Sequence, residues 1–207
     1  MKRQRILIAA ILLAVARPAS AHRLDEYLQA TRLAIGVDRV RVEIDLTPGV
    51  DVASTVLGWI DANHDGALSQ DEATAYARQV IGDLALDVDG AAAPLALISV
   101  ECSQPEAMRL GTGAVRLRVT APVPPVAAGR HRLTFRNEHR SQSSVYLANV
   151  LVSDDPRVRV ETQTRDRAQR ELTVAYDVSS QFTRAWWLLS GVAALGLLVV
   201  GRRRSTP

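Results

Sequence analysis

From Arg39 to Leu46 the chain alternates without a break: Val40, Val42, Ile44 and Leu46 on one side, Arg39, Arg41, Glu43 and Asp45 on the other. A period of two is the repeat of a β-strand with one buried and one wet face. The same pattern recurs three times. Val115, Leu117 and Val119 alternate with Arg116 and Arg118. Leu133 and Phe135 alternate with Arg132, Thr134 and Arg136. Leu172, Val174, Tyr176 and Val178 alternate with Glu171, Thr173, Ala175 and Asp177. Further strands are expected over Val145–Val152 and Arg157–Thr162, parted by Asp154-Asp155-Pro156. Asp89-Gly90 predicts a tight turn joining strands over Leu84–Val88 and Leu95–Val100. Pro122, Pro124, Pro125 and Gly129 bound a loop. Short strands between turn signals predict a mainly β (α+β) domain, an antiparallel, immunoglobulin-like sandwich.

One stretch, 51–85, follows a different period. Val52, Thr55, Val56, Trp59 and Ile60 have helical spacing, and so do Ala73, Tyr76, Ala77, Val80, Ile81 and Leu84. Between them runs Asp61-Ala-Asn63-His-Asp65-Gly66-Ala67-Leu68-Ser69-Gln-Asp-Glu72. Asp61, Asn63 and Asp65 offer oxygens at alternate positions, Gly66 permits a sharp turn, Ala67 needs only its carbonyl, Ser69 adds a hydroxyl, and Glu72 closes with two oxygens. This is the spacing of an EF-hand loop, and an all-oxygen set suits Ca2+, a hard cation. A bland alternative exists: Ser69-Gln-Asp-Glu72 is also a capping box that starts a helix without metal. The loop stands alone, so Leu68 lacks the partner loop that EF-hands usually pair with, and His64 is not at a ligand position.

The two ends read as addresses. Lys2, Arg3 and Arg5 precede an apolar run from Ile6 to Ala16, and Ala19-Ser20-Ala21 offers small residues for cleavage before His22. Residues 1–21 therefore read as a secretory signal peptide. Ala185 to Gly201 is uncharged and mostly apolar, edged by Trp186-Trp187 and followed by Arg202-Arg203-Arg204. That pattern predicts one transmembrane helix with residues 202–207 in the cytoplasm. A processed sorting tail is the alternative. Residues 22–184 are then a periplasmic domain, and the chain sits in a bacterial inner membrane. The formal charge of +3 comes from the ends: residues 22–184 keep 18 basic and 22 acidic residues, a net −4, which disfavours nucleic acid as a partner.

Other chemistry is sparse. Cleavage would leave His22 with a free amino group beside its imidazole, a chelating pair for copper or nickel, with His131 and His139 as further candidate ligands. The single cysteine, Cys102, excludes an internal disulfide and has no base beside it in sequence. Glu138-His139 with scattered serines forms no recognisable triad. The expectation is a binding protein, not an enzyme.

Ala21-His-Arg-Leu-Asp-Glu-Tyr27, Asp38-Arg-Val-Arg-Val-Glu-Ile-Asp-Leu46, the oxygen-rich loop running into Leu86-Asp-Val-Asp-Gly90, and Arg132-Leu-Thr-Phe-Arg-Asn137 together resemble the exported N-terminal region of bacterial HupE/UreJ-type and nickel/cobalt-transporter-like membrane proteins. The resemblance spans roughly residues 21–152. It implies a periplasmic module working beside metal-ion permeation. This sequence shows one apolar span and no multi-span permease, so a polytopic metal-ion permease would be a partner chain supplying the pore.

Overall fold

A computed structural model describes residues 25–124 and 127–180; the expected signal peptide, the apolar stretch 185–201, the tail 202–207 and His22 lie outside them. The described chain is mainly β: two five-stranded sheets with apolar faces that share one core, crossed by three short helices. Sheet A has the order β5-β6-β2-β1-β8 and sheet B the order β4-β3-β7-β10-β9.

In sheet A, β1 is Tyr27–Ile35, β2 Arg39–Pro48, β5 Ala96–Cys102, β6 Val115–Pro122 and β8 Ser144–Val150. In sheet B, β3 is Leu84–Val88, β4 Ala91–Ala92, β7 Gly129–Asn137, β9 Val158–Arg165 and β10 Glu171–Val178. The alternating segments bury the side expected of them. Val40, Val42, Ile44 and Leu46 are fully buried, as are Leu133, Phe135, Leu172 and Val174. Each such side chain contributes about 1.5–3 kcal/mol by leaving water. The arginines between them stay wet and pair with neighbouring acids, as Arg136 does with Glu171 at 2.8 Å.

Four details depart from the sequence expectation. The sandwich is not wholly antiparallel: β8 lies parallel to β1, with Tyr27 opposite Ser144. Asp89 and Gly90 do form a tight turn, with φ of 53° and 80°, but its hairpin partner is the two-residue β4. The chain then crosses to the other sheet as β5, because Leu97, Val100 and Cys102 pair with β6. Leu84 belongs to β3, since helical geometry stops at Gly82 and Asp83 takes the C-cap. The strand expected to reach Val152 stops at Val150, and the one expected to stop at Thr162 runs on to Arg165.

The helices are α1, Ala53–Ile60, α2, Gln70–Gly82, and α3, Pro105–Arg109. α1 buries Ala53, Val56, Leu57 and Ile60, and α2 buries Ala73, Tyr76, Ala77 and Val80. α1 packs against α2 and α3, and α2 lies along β5. The helix pair sits at the end of the sandwich where β2 finishes and β3 begins. The opposite end gathers Ile35, Arg39, Pro122, Gly129, Val158 and Val178, joined by strand register. Among the described residues no helix is long and apolar enough to cross a membrane.

Candidate metal centre

The loop 61–69 leaves α1 through Asp61, whose N–H still donates to Leu57 O at 2.8 Å. The chain curls back because Asp61 accepts twice along the turn: Oδ1 from Asp65 N at 3.2 Å and Oδ2 from Gly66 N at 3.0 Å. Asn63 Oδ1 also accepts from Asp65 N, and Asp65 Oδ1 from Ala67 N. Gly66 takes a φ of 82°, where a side chain would be strained, and His64 also turns left-handed at 59°. The loop re-enters helix at Ser69, whose hydroxyl accepts from Glu72 N while Glu72 Oε2 accepts from Ser69 N at 3.0 Å.

The other oxygen of Glu72 crosses the loop. Oε1 accepts from Ala62 N at 2.9 Å and from Asn63 N at 3.2 Å. A capping box needs only the local bond to Ser69, so this second reach closes the loop on its own entrance. These donors hold the Glu72 carboxyl down at about 2, the Ser69 backbone bond counting most. Leu68 is half-buried and packs on the sandwich core.

Asp61, Asn63, Asp65, the Ala67 carbonyl, Ser69 and Glu72 thus occupy one tight turn between two helices. Their donor atoms are all oxygen, which fits a hard cation. The carboxylates here are turned onto backbone N–H groups. Among the described residues no three His, Cys, Asp or Glu side chains converge in a way that could hold a metal ion.

The histidines are elsewhere. On β7, His131 places Nδ1 2.7 Å from Asp89 Oδ2 and Nε2 2.8 Å from the Ala127 carbonyl. Both partners are acceptors, an arrangement that favours the doubly protonated ring. Its pKa is raised, chiefly by the Asp89 hydrogen bond. His139 is buried beyond the end of β7. Its Nδ1 donates to Asp83 at 2.7 Å and its Nε2 accepts from Tyr76 at 3.1 Å. Burial lowers its pKa, against the pull of Asp83. His131 and His139 share no partner, and neither keeps a free ring nitrogen. Cys102 is half-buried, and burial pushes its thiol up to about 11, away from reactivity.

Sequence reasoning missed a polar network beneath α2. Tyr27 and Tyr76 share a 2.8 Å hydroxyl contact. Since Tyr76 gives its proton to His139, Tyr27 donates to Tyr76. The His139 carbonyl accepts from Tyr146 and Gln29, and Asn137 bridges Gln29 Oε1 to His139 N. Beside it, a groove of about 760 Å³ runs past Trp59, Gln79, Asp83 and Arg140, with the Arg140 guanidinium 4.2 Å above the Trp59 ring. The available sequence signal was the polar pair Gln29 and Thr31 on an otherwise apolar strand face. No family model, curated protein or solved structure matches this chain.

Proposed function

We propose that this chain is a membrane-anchored periplasmic module, an immunoglobulin-like sandwich carrying an EF-hand-like calcium loop, and that it acts by binding and not by catalysis. The observation that carries the calcium reading is the Glu72 side chain: one oxygen caps α2 while the other spans the loop to Ala62 and Asn63. Asp61, Asn63, Asp65, Ser69, Glu72 and the Ala67 carbonyl would hold the ion. Ca2+ would supply the positive charge that three loop carboxylates otherwise draw from backbone amides. A lone loop of this kind suits weak binding, on the order of 0.1–1 mM, and a structural role.

Calorimetry with calcium, magnesium, nickel and copper tests this. Heat from calcium alone, lost in Glu72→Gln, supports it; heat only from nickel or copper overturns it. The anchored topology rests on residues 1–21 and 185–204. Intact mass should show a chain beginning at His22, and a reporter fused after Pro207 should be active only in the cytoplasm. Partnership with a polytopic metal-ion permease rests on the sequence resemblance. Crosslinking from the native membrane should recover such a permease, and recovery of none would leave the calcium module by itself.

A further inference from the structure

At the end of the sandwich opposite the helix pair, a groove of about 790 Å³ runs between the sheets. It is lined by Arg39 and Arg41 of β2 with Asp38 just before it, by Asp155 and Arg157 in the loop between β8 and β9, and by Ser180 just after β10. Each guanidinium has a carboxylate beside it: Arg39 on Asp38 at 2.9 Å, Arg157 on Asp155 at 2.8 Å, and Arg41 on Asp154. Two of these pairs are open to water, with Arg39 61% and Arg41 57% exposed, so they are weak and exchange readily, whereas Arg157 and Asp155 form a firmer, part-buried pair through two parallel hydrogen bonds. Next to the groove Val152 is 93% exposed, and Leu151 is exposed beside it. An aliphatic side chain so open, one residue from the arginine-bearing groove that Ser153 lines, is the make-up of a surface that meets a headgroup layer.

The chain itself says what covers this end. Ser179 and Ser180 form part of the groove wall, and the apolar run of the sequence starts at Ala185. Five residue steps reach at most roughly 17 Å. β2, ten residues long, sets the other end of the sandwich roughly 33 Å further away. We propose that the Arg39–Arg41–Arg157 groove and the 151–157 loop seat on phospholipid headgroups, which leaves the 61–72 loop facing away from the bilayer. The guanidiniums would take the phosphates in two-pronged hydrogen bonds, and Val152 would enter the acyl boundary. This rests on the membrane-anchored reading given above.

The test uses the full chain in vesicles of phosphatidylethanolamine and phosphatidylglycerol doped with a headgroup nitroxide quencher. A fluorophore is placed by Val152→Cys, or by His64→Cys at the far end, each in a Cys102→Ser background. Strong quenching at position 152 and little at position 64 is expected. Arg39→Gln with Arg41→Gln and Arg157→Gln should lower the quenching at 152 severalfold, and lysine at the same three positions should restore much of it. Equal quenching at both positions overturns the proposal. So does absence of quenching at 152 in a chain that resists alkaline extraction, and that outcome leaves the anchor intact. A chain released by alkaline extraction overturns the anchor and this proposal with it.

Discussion

Tyr76 donates its hydroxyl proton to Nε2 of His139 across 3.1 Å of buried space. Tyr76 stands on α2, one turn beyond the Glu72 that closes the loop, and His139 lies in the segment joining β7 to β8. The bond therefore ties the loop's exit helix to the sandwich.

Its direction fixes a ranking of two substitutions. Tyr76→Phe strips the acceptor from Tyr27 and the donor from His139, both inside the core. Tyr27→Phe leaves Tyr76 still donating to His139 and frees only one lone pair. An orphaned buried polar group costs about 1–3 kcal/mol. Urea unfolding should show Tyr76→Phe losing about 2 kcal/mol or more and Tyr27→Phe about 1 kcal/mol or less. Equal losses would mean that the chain of donors runs the other way.

The two histidines should bend the stability–pH curve in opposite senses. His139 is lowered from its ordinary 6.5 by burial. Its contribution is full above 6.5 and is lost as pH falls through the folded value, because the unfolded chain takes up the proton first. His131 is raised by Asp89. Its contribution is full below 6.5 and is lost as pH rises through the folded value. Melting temperature should therefore peak near neutral pH. His131→Gln should flatten the alkaline side and leave the acid side unchanged; flattening of the acid side instead would reverse the assignment.

Strands were legible where the inward side is all apolar, as in β2 and β10. β1 was not, because Gln29 and Thr31 face inward while Leu28 and Ala30 face out, so hydropathy alternates weakly. The inward Gln29 makes sense only beside Asn137 and His139, more than a hundred residues away. The parallel pairing of β1 with β8 is equally remote in sequence. α3 was missed because five residues give no periodicity, although Gln104-Pro105-Glu106 carries the proline and acid of a helix start. The oxygen loop was legible because its ligand spacing is local. The cross-loop reach of Glu72 to Ala62 and Asn63 was not, because Ser69-Gln-Asp-Glu72 reads as a capping box whether or not Glu72 also reaches across the loop.

Gly113 tests the support beneath α1. A Cβ there would lie 2.7 Å from Met108 N and 2.9 Å from the Ala107 carbonyl carbon. The backbone of α3 cannot yield as a flexible side chain would. Gly113→Ala should cost about 1–3 kcal/mol by overpacking. Because α3 braces α1, hydrogen exchange at Leu57 and Ile60 should quicken more than exchange in β10. Uniform quickening would show that the strain spreads through the whole domain.

The final prediction separates helix cap from metal loop. Glu72 is held at about 2, well below its usual 4.5. Its contribution to stability is therefore full above 4.5 and lost as pH falls toward 2. Without added metal, wild type should lose stability across that window and Glu72→Gln should show a shallower loss. Calcium then tests the rest. At a hundredfold excess over the dissociation constant, an ion that binds only the folded chain adds about 2.7 kcal/mol, a rise in Tm of roughly 5–10 °C. Glutamine can still accept one bond at the start of α2, yet it lacks the charge and the second acceptor that cross to Ala62 and Asn63. Wild type should therefore rise with calcium while Glu72→Gln stays level. If both rise alike, or neither does, Glu72 is a helix cap and the loop carries no calcium.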